Sequence, residues 1–206
     1  EPQRTDAGAE PGRRPYRFSA DQFWRMIELG VLPDGHDVEL VRGRIHRMTR
    51  HEPHNFAVAR ATKLLRAILP AGFHAREEKS LRHDARSVPE PDVAVVPGSG
   101  DEFRPLPPTT AEAALIDEAC IHSRRADYRD KLRLYAEARV PLYWILDVEA
   151  RVLDAFSEPA GSGRDAAYAR RVTYRADEPA PVVLDGREVG RIVPRDLLPP
   201  ADKPSP

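Results

Sequence analysis

Three acids interrupt strands that otherwise read as apolar: Glu39 in "DVELV", Asp92 in "PEPDVAVV" and Glu118 in "LIDEACI". An ionised carboxylate buried without a partner costs several kcal/mol, so each such position implies a sheet edge, a salt bridge or a metal. Singly, each is best explained as an ordinary solvent-facing acid. Together, with acids on neighbouring strands and a lysine close by, they suit a hard divalent cation such as Mg²⁺, which selects oxygen ligands and retains several waters. Lys131, in "RRADYRDKLRLY", is the candidate lysine. Its plainer explanation is an i,i+4 pair with Asp127 on one helix face, worth roughly 0.2–0.5 kcal/mol.

These residues need a scaffold, and the sequence outlines one. In "FSADQFWRMIELG" Ser19 precedes Gln22 by three residues, Phe18 is placed to staple onto Phe23, and Gly30 supplies a left-handed stop, so the stretch predicts a capped helix. "DVELVRGRIHRM" predicts a hairpin turning at Arg42-Gly43, with Val38, Leu40 and Ile45 on one side and Glu39 and Val41 on the other. Helical spacing of Phe56, Ala57, Arg60, Ala61, Leu64, Leu65 and Ile68 predicts a second helix from Pro53 to Leu69, with His54 at its start. "GFHAREEKSLRHD", "PDVAVVP" and "AEAALIDEACI" predict strands, and "PGSGDEFRPLPPTT" a loop. "ADYRDKLRLYAEARV" predicts a third helix. "PLYWILDVEARVLDAFS" predicts two strands turning near Glu149-Ala150, and the C-terminal part further antiparallel strands. In "VPEPDVAVV", Pro91 holds Glu90 extended, Asp92 stands at the mouth of a strand buried on both faces, and Glu90 is expected to be solvated. The order predicts a mixed α/β (α+β) domain over 16–198, flanked by tails at 1–15 and 199–206.

Charge and composition narrow the function. Lys plus Arg number 32 and Asp plus Glu 33, so no overall positive field announces nucleic acid. A local rim is still available: Arg42, Arg44, Arg47 and Arg50 surround the hairpin, and Arg124, Arg125, Arg129 and Arg133 cluster at the third helix. Taken one at a time, each arginine is better explained as solvated surface. The lone cysteine, Cys120, excludes an internal disulfide and all-cysteine metal sites, and it fits a cytoplasmic, reducing setting. No apolar run reaches the roughly 20 residues of a membrane helix. Gly-rich phosphate loops and zinc-type Cys/His pairs are absent.

Five elements in order, "VELVRGRI", "HEPHNFAVARATKLL", "VPEPDVAVVP", "LIDEACIHS" and "DYRDKLRLYAEARVPLYWILD", resemble the Uma2 (DUF820) family, restriction-endonuclease-like members of the PD-(D/E)xK nuclease superfamily. The resemblance covers about residues 16–156, and the D-x-x-x-K-x-x-x-Y spacing followed by "VPLYWILD" is its most distinctive part. It implies a restriction-endonuclease-like core carrying an N-terminal helix and hairpin and extra C-terminal strands. It also implies Mg²⁺- or Mn²⁺-dependent hydrolysis of DNA. Asp92 and Glu118 would be metal ligands, Glu39 a third acid on the metal or a bridging water, and Lys131 the ammonium that eases formation of hydroxide. His54 would contact phosphate or the metal's water, or stand as an exposed first-turn histidine. A homodimer that cuts two strands is consistent with the same resemblance.

Two positions depart from that pattern. The family has an apolar residue where Asp117 stands and a Ser where Cys120 stands. In a regular strand Asp117 and Glu118 face opposite sides, and Cys120 shares the face of Glu118. Cys120 is expected to be a small core residue; a thiol-imidazole pair with His122 is the weaker reading. These departures leave two other functions open: a binding module for DNA or protein that has lost catalysis, and a nuclease fold turned to a small anionic substrate.

Overall fold

Ser19 caps the first helix as the sequence predicts: its hydroxyl accepts from the Gln22 amide (3.1 Å) while the Gln22 side chain accepts from the Ser19 amide (2.9 Å). The computed structural model describes residues 15–33, 38–48, 51–101, 105–121 and 125–200, with side chains in the third helix described from 129 onward. Residues 1–14 and 201–206 of the tails, Arg50, Arg124, His122 and the side chains of Arg125 and Asp127 lie outside that set. Helix α1 is Ala20–Glu28, followed by the hairpin β1 (Val38–Val41) and β2 (Arg44–Arg47), helix α2 (Glu52–Ile68), β3 (Phe73–Glu77), β4 (Val93–Pro97) and β5 (Leu115–Cys120). Helix α3 (Arg125–Glu137), β6 (Leu142–Asp147), β7 (Val152–Ala160), β8 (Ala167–Arg175), β9 (Ala180–Leu184) and β10 (Arg187–Ile192) complete the chain. No helix among the described residues is long and apolar enough to cross a membrane.

The central sheet has six strands in the order β3-β4-β5-β6-β7-β8. Only β5 and β6 run parallel, and α3 is the crossover that a parallel pair requires. Alternation along the strands divides the core in two. Val93, Val95, Leu115, Trp144 and Leu146 pack on one face with Ala57, Ala61 and Leu65 of α2, and the β9–β10 hairpin adds Val182 and Leu184 there. Ala94, Val96, Ile116, Tyr143 and Ile145 pack on the other with Leu134 and Tyr135 of α3. Glu118 therefore lies on the α3 face and Asp117 on the α2 face. The pairing of β5 is regular through Asp117, Glu118 and Cys120, so the two acids diverge as their alternation requires.

The first hairpin spans this arrangement. Val38 and Leu40 join Phe23 of α1 and Val88, while Val41 enters the α3-side core. Arg42 (φ 50°) and Gly43 (φ 77°) both take left-handed backbone, the signature of a two-residue type I′ turn. The turn is wedged against the chain before α1: Phe18 donates to the Gly43 carbonyl (2.9 Å), and a Cβ on Gly43 would lie 2.9 Å from Cβ of Arg17. Gly43→Ala is accordingly expected to cost about 1–3 kcal/mol in chemical denaturation, from backbone and contact strain together. An alanine variant as stable as the parent would refute that account of the turn.

Candidate active site

Asp92 sits one residue before β4, where Pro91 ends the approach and Val93 enters the sheet. Because Val93 pairs with Asp117, Asp92 lies beside Glu118 at the end of the β4–β5 ladder. Its carboxylate is 2 % exposed, and Oδ2 accepts the Ala119 amide at 2.7 Å. The His54 Nε2, from the first turn of α2, stands 3.2 Å from each of the Asp92 oxygens. His54 is thus buried against Asp92 rather than exposed. Burial alone would lower its pKa, but the hydrogen bond and charge of Asp92 outweigh it and raise the value.

Across the strand pair, Lys131 projects from α3 between two acids. Its Nζ is 3.0 Å from Oε1 and 3.1 Å from Oε2 of Glu118, and 3.1 Å from Oε2 of Glu39 on β1. Tyr135, one helical turn further on, donates its hydroxyl to Oε1 of Glu118 at 2.9 Å. Burial opposes the charge of Lys131, but Glu118 and Glu39 overcome that and raise its pKa, so the ammonium stays protonated. Burial pushes Glu118 up to about 8, with Lys131 pulling against it and Asp92 and Glu39 adding to it. Glu39 is further fixed through Oε2 by the Glu90 amide at 3.3 Å. The structure therefore brings Glu39, Asp92, Glu118, Lys131 and His54 to one end of the sheet.

Three further residues belong to this neighbourhood. Tyr135 completes the D-x-x-x-K-x-x-x-Y spacing, and four residues on a helix placed it on the Lys131 face. Glu78 follows β3 with a left-handed backbone (φ 46°), and its amide donates to the Asp92 carbonyl at 2.9 Å. Ligand atoms of His54, Glu78 and Asp92 all lie within 4.8 Å of one another. Glu90, expected in solvent, is 1 % exposed and accepts the Ser80 hydroxyl at 3.2 Å. Residues 79–91 fold beneath β1, with Leu81 donating to Pro89 and Leu40 and Val88 exchanging backbone hydrogen bonds, and this covers Glu90.

The two departures are also resolved in space. Asp117 is 0 % exposed, and neither of its carboxylate oxygens has a hydrogen-bond partner among the described residues. Burial, with the charges of Asp92 and Glu118, raises its pKa well above the usual carboxylate range. Cys120 is half-buried and packs against the α3-side core. Of the arginines read as a rim, Arg42 pairs with Glu137 at 3.4 Å.

Comparison with known proteins adds a family to this geometry. Residues 20–187 match the Uma2 family, described as "Putative restriction endonuclease". Among solved structures, the chain is similar to a protein from Anabaena variabilis ATCC 29413 described as "a putative nuclease belonging to DUF820", with a TM-score of 0.66 at 12 % identity over 87 % of this chain and 97 % of that one. At that identity the likeness is one of fold. The comparison with curated proteins found no match.

Proposed function

The chain belongs to the Uma2 family, and on that premise we propose that it is a divalent-metal-dependent endonuclease that hydrolyses DNA phosphodiester bonds. One observation carries the reading: a buried ammonium, Lys131, is held by Glu118 and Glu39 (3.0 and 3.1 Å) beside an Asp92 anchored on the same strand end. A structural ion pair needs no third acid, and acids converging on one point repel unless a cation compensates them.

The donor set fits Mg²⁺ or Mn²⁺, since Asp92, Glu118 and Glu39 offer hard carboxylate oxygens. Asp92 and Glu118 would hold the ion, with Glu39 on the ion or on a water beside it. When bound, the ion would neutralise charge on a phosphate oxygen and acidify a water. The chain's own groups supply the rest. Lys131 presents N–H donors where charge develops, and Tyr135 and Glu39 fix its position and that of Glu118. The Ala119 amide holds Asp92 against the strand, and the imidazole of His54 offers a donor toward the same end. Water adds to phosphorus, one ester P–O bond breaks, and the leaving oxygen takes a proton. Arginines about the β1–β2 hairpin and α3 would bind backbone phosphates.

The test is cleavage of plasmid and linear DNA with Mg²⁺ or Mn²⁺, in the parent and in Asp92→Ala and Glu118→Ala. Each substitution is expected to lower the rate by at least about 100-fold, the scale of losing a pre-organised electrostatic group. A protein that cuts no DNA with either ion, or variants that cut as fast as the parent, would overturn the reading. DNA binding that persists in EDTA and ignores both substitutions, without cleavage, would instead support a binding module.

A further inference from the structure

On one side of Asp92 the acids are partnered by Lys131, whose Nζ lies 3.0–3.1 Å from both oxygens of Glu118 and 3.1 Å from Glu39. The other side of Asp92 is different in kind. There, three donors from separate segments face one another with ligand atoms within 4.8 Å: His54 from α2, Glu78 from the turn after β3, and Asp92. A backbone hydrogen bond from Glu78 to Asp92 (2.9 Å) fixes two of those segments together. Two donors on one ion at about 2.1 Å stand roughly 3.0 Å apart at a right angle and about 3.4 Å apart at a tetrahedral one. Nε2 of His54 lies 3.2 Å from each Asp92 oxygen, inside that interval.

We propose that His54, Glu78 and Asp92 form a second divalent-cation site on the α2 side of the centre, one that takes a transition ion such as Mn²⁺ or Zn²⁺ in preference to Mg²⁺. The imidazole sets the preference, because Mg²⁺ favours all-oxygen surroundings while nitrogen ligands suit the later ions. The site shares Asp92 and His54 with the hydrolytic reading and rests on it only for Asp92 being a ligand; with the ion bound, the imidazole of His54 serves as a ligand and not as a donor. Glu78 is the new member, and no part of the hydrolytic scheme requires it.

The experiment is Mn²⁺ titration of the metal-stripped full chain without DNA, by calorimetry and by electron paramagnetic resonance, repeated with Zn²⁺ and Mg²⁺. The parent is expected to bind Mn²⁺ at least about 10-fold more tightly than Mg²⁺ at this site. Glu78→Gln and His54→Gln, each close in size to the original, are expected to weaken Mn²⁺ by at least about 10-fold, while Glu118→Gln leaves the site in place. Thermal melting of each variant separates loss of the ligand from loss of the fold. Mn²⁺ binding lost in Glu118→Gln but indifferent to Glu78 and His54 would overturn this inference and leave the hydrolytic reading intact. Binding as expected in a protein that cuts no DNA would do the reverse. No binding at about millimolar ion would overturn the inference outright.

Discussion

Replacing Lys131 by methionine is expected to be the most damaging single change in the chain, lowering metal-free stability by about 3–5 kcal/mol at pH 8 and abolishing cleavage in the proposed reaction. Methionine matches the stem of lysine but removes the charge, so Glu39 (7 % exposed) and Glu118 (9 %) would be left facing each other without a cation. Each loses an N–H donor near 3 Å. The effect has a direction in pH. In the parent, the raised pKa of Glu118, about 8, means that the folded state binds more protons than the unfolded chain between the ordinary carboxylate value and 8. Stability in that window falls as pH rises. Without Lys131 the opposing pull disappears, the pKa climbs further and the fall continues past pH 8. The variant should therefore lie closer to the parent at pH 5 than at pH 8 in denaturant titrations. Lys131→Arg is the control: it keeps the charge but not the compact ammonium geometry, so it should recover stability more than cleavage. A methionine variant as stable as the parent at pH 8 would mean that the ion pair is not the support described.

The geometry behind that expectation was only partly written in the local sequence. Capping, turn and periodicity are short-range signals, and they located α1, the β1–β2 turn, α2 and the strand after Pro91. The acids Glu39, Asp92 and Glu118 stood out because each broke an apolar run. The spacing of α3 also put Tyr135 on the Lys131 face. What local reading could not supply was the partner of each group. Lys131 looks like half of a helical pair with Asp127, yet its described contacts come from β1 and β5, which only the sheet order and the β5–α3–β6 crossover bring together. Glu78 stands in "REEKS", within a stretch that the sequence predicts as a strand without marking this acid; its place beside Asp92 follows from the antiparallel register that sets Glu77 opposite Val93. Glu90, expected in solvent, is buried for the same reason. Its neighbours along the chain are prolines and a valine, but what buries it is the return of residues 79–91 beneath the hairpin, a long-range event.

Asp117→Val is expected to stabilise the metal-free protein, by about 1–3 kcal/mol at neutral pH, a large gain for one substitution. Most core changes destabilise because they leave a cavity or orphan a polar group. Here the orphan is already present: Asp117 is fully buried, and its two oxygens lack partners among the described residues. Valine is close to aspartate in size, and its cross-strand neighbours are Val93 and Trp144, on a face lined by α2. It would thus replace an unpaired polar group with apolar contact. Burial and the charges of Asp92 and Glu118 raise the Asp117 pKa well above its ordinary value, so the parent loses stability as pH rises from that value toward the raised one. The variant has no such group. Its advantage should be small near pH 4 and widen with each unit above it, in paired denaturation curves across that range. A loss of stability, or an advantage that shrinks as pH rises, would show that Asp117 has a partner that offsets its burial. If valine stabilises the fold and slows cleavage as well, then the carboxyl is retained for the site and not for the core, which is the usual reason a buried polar group without a partner persists.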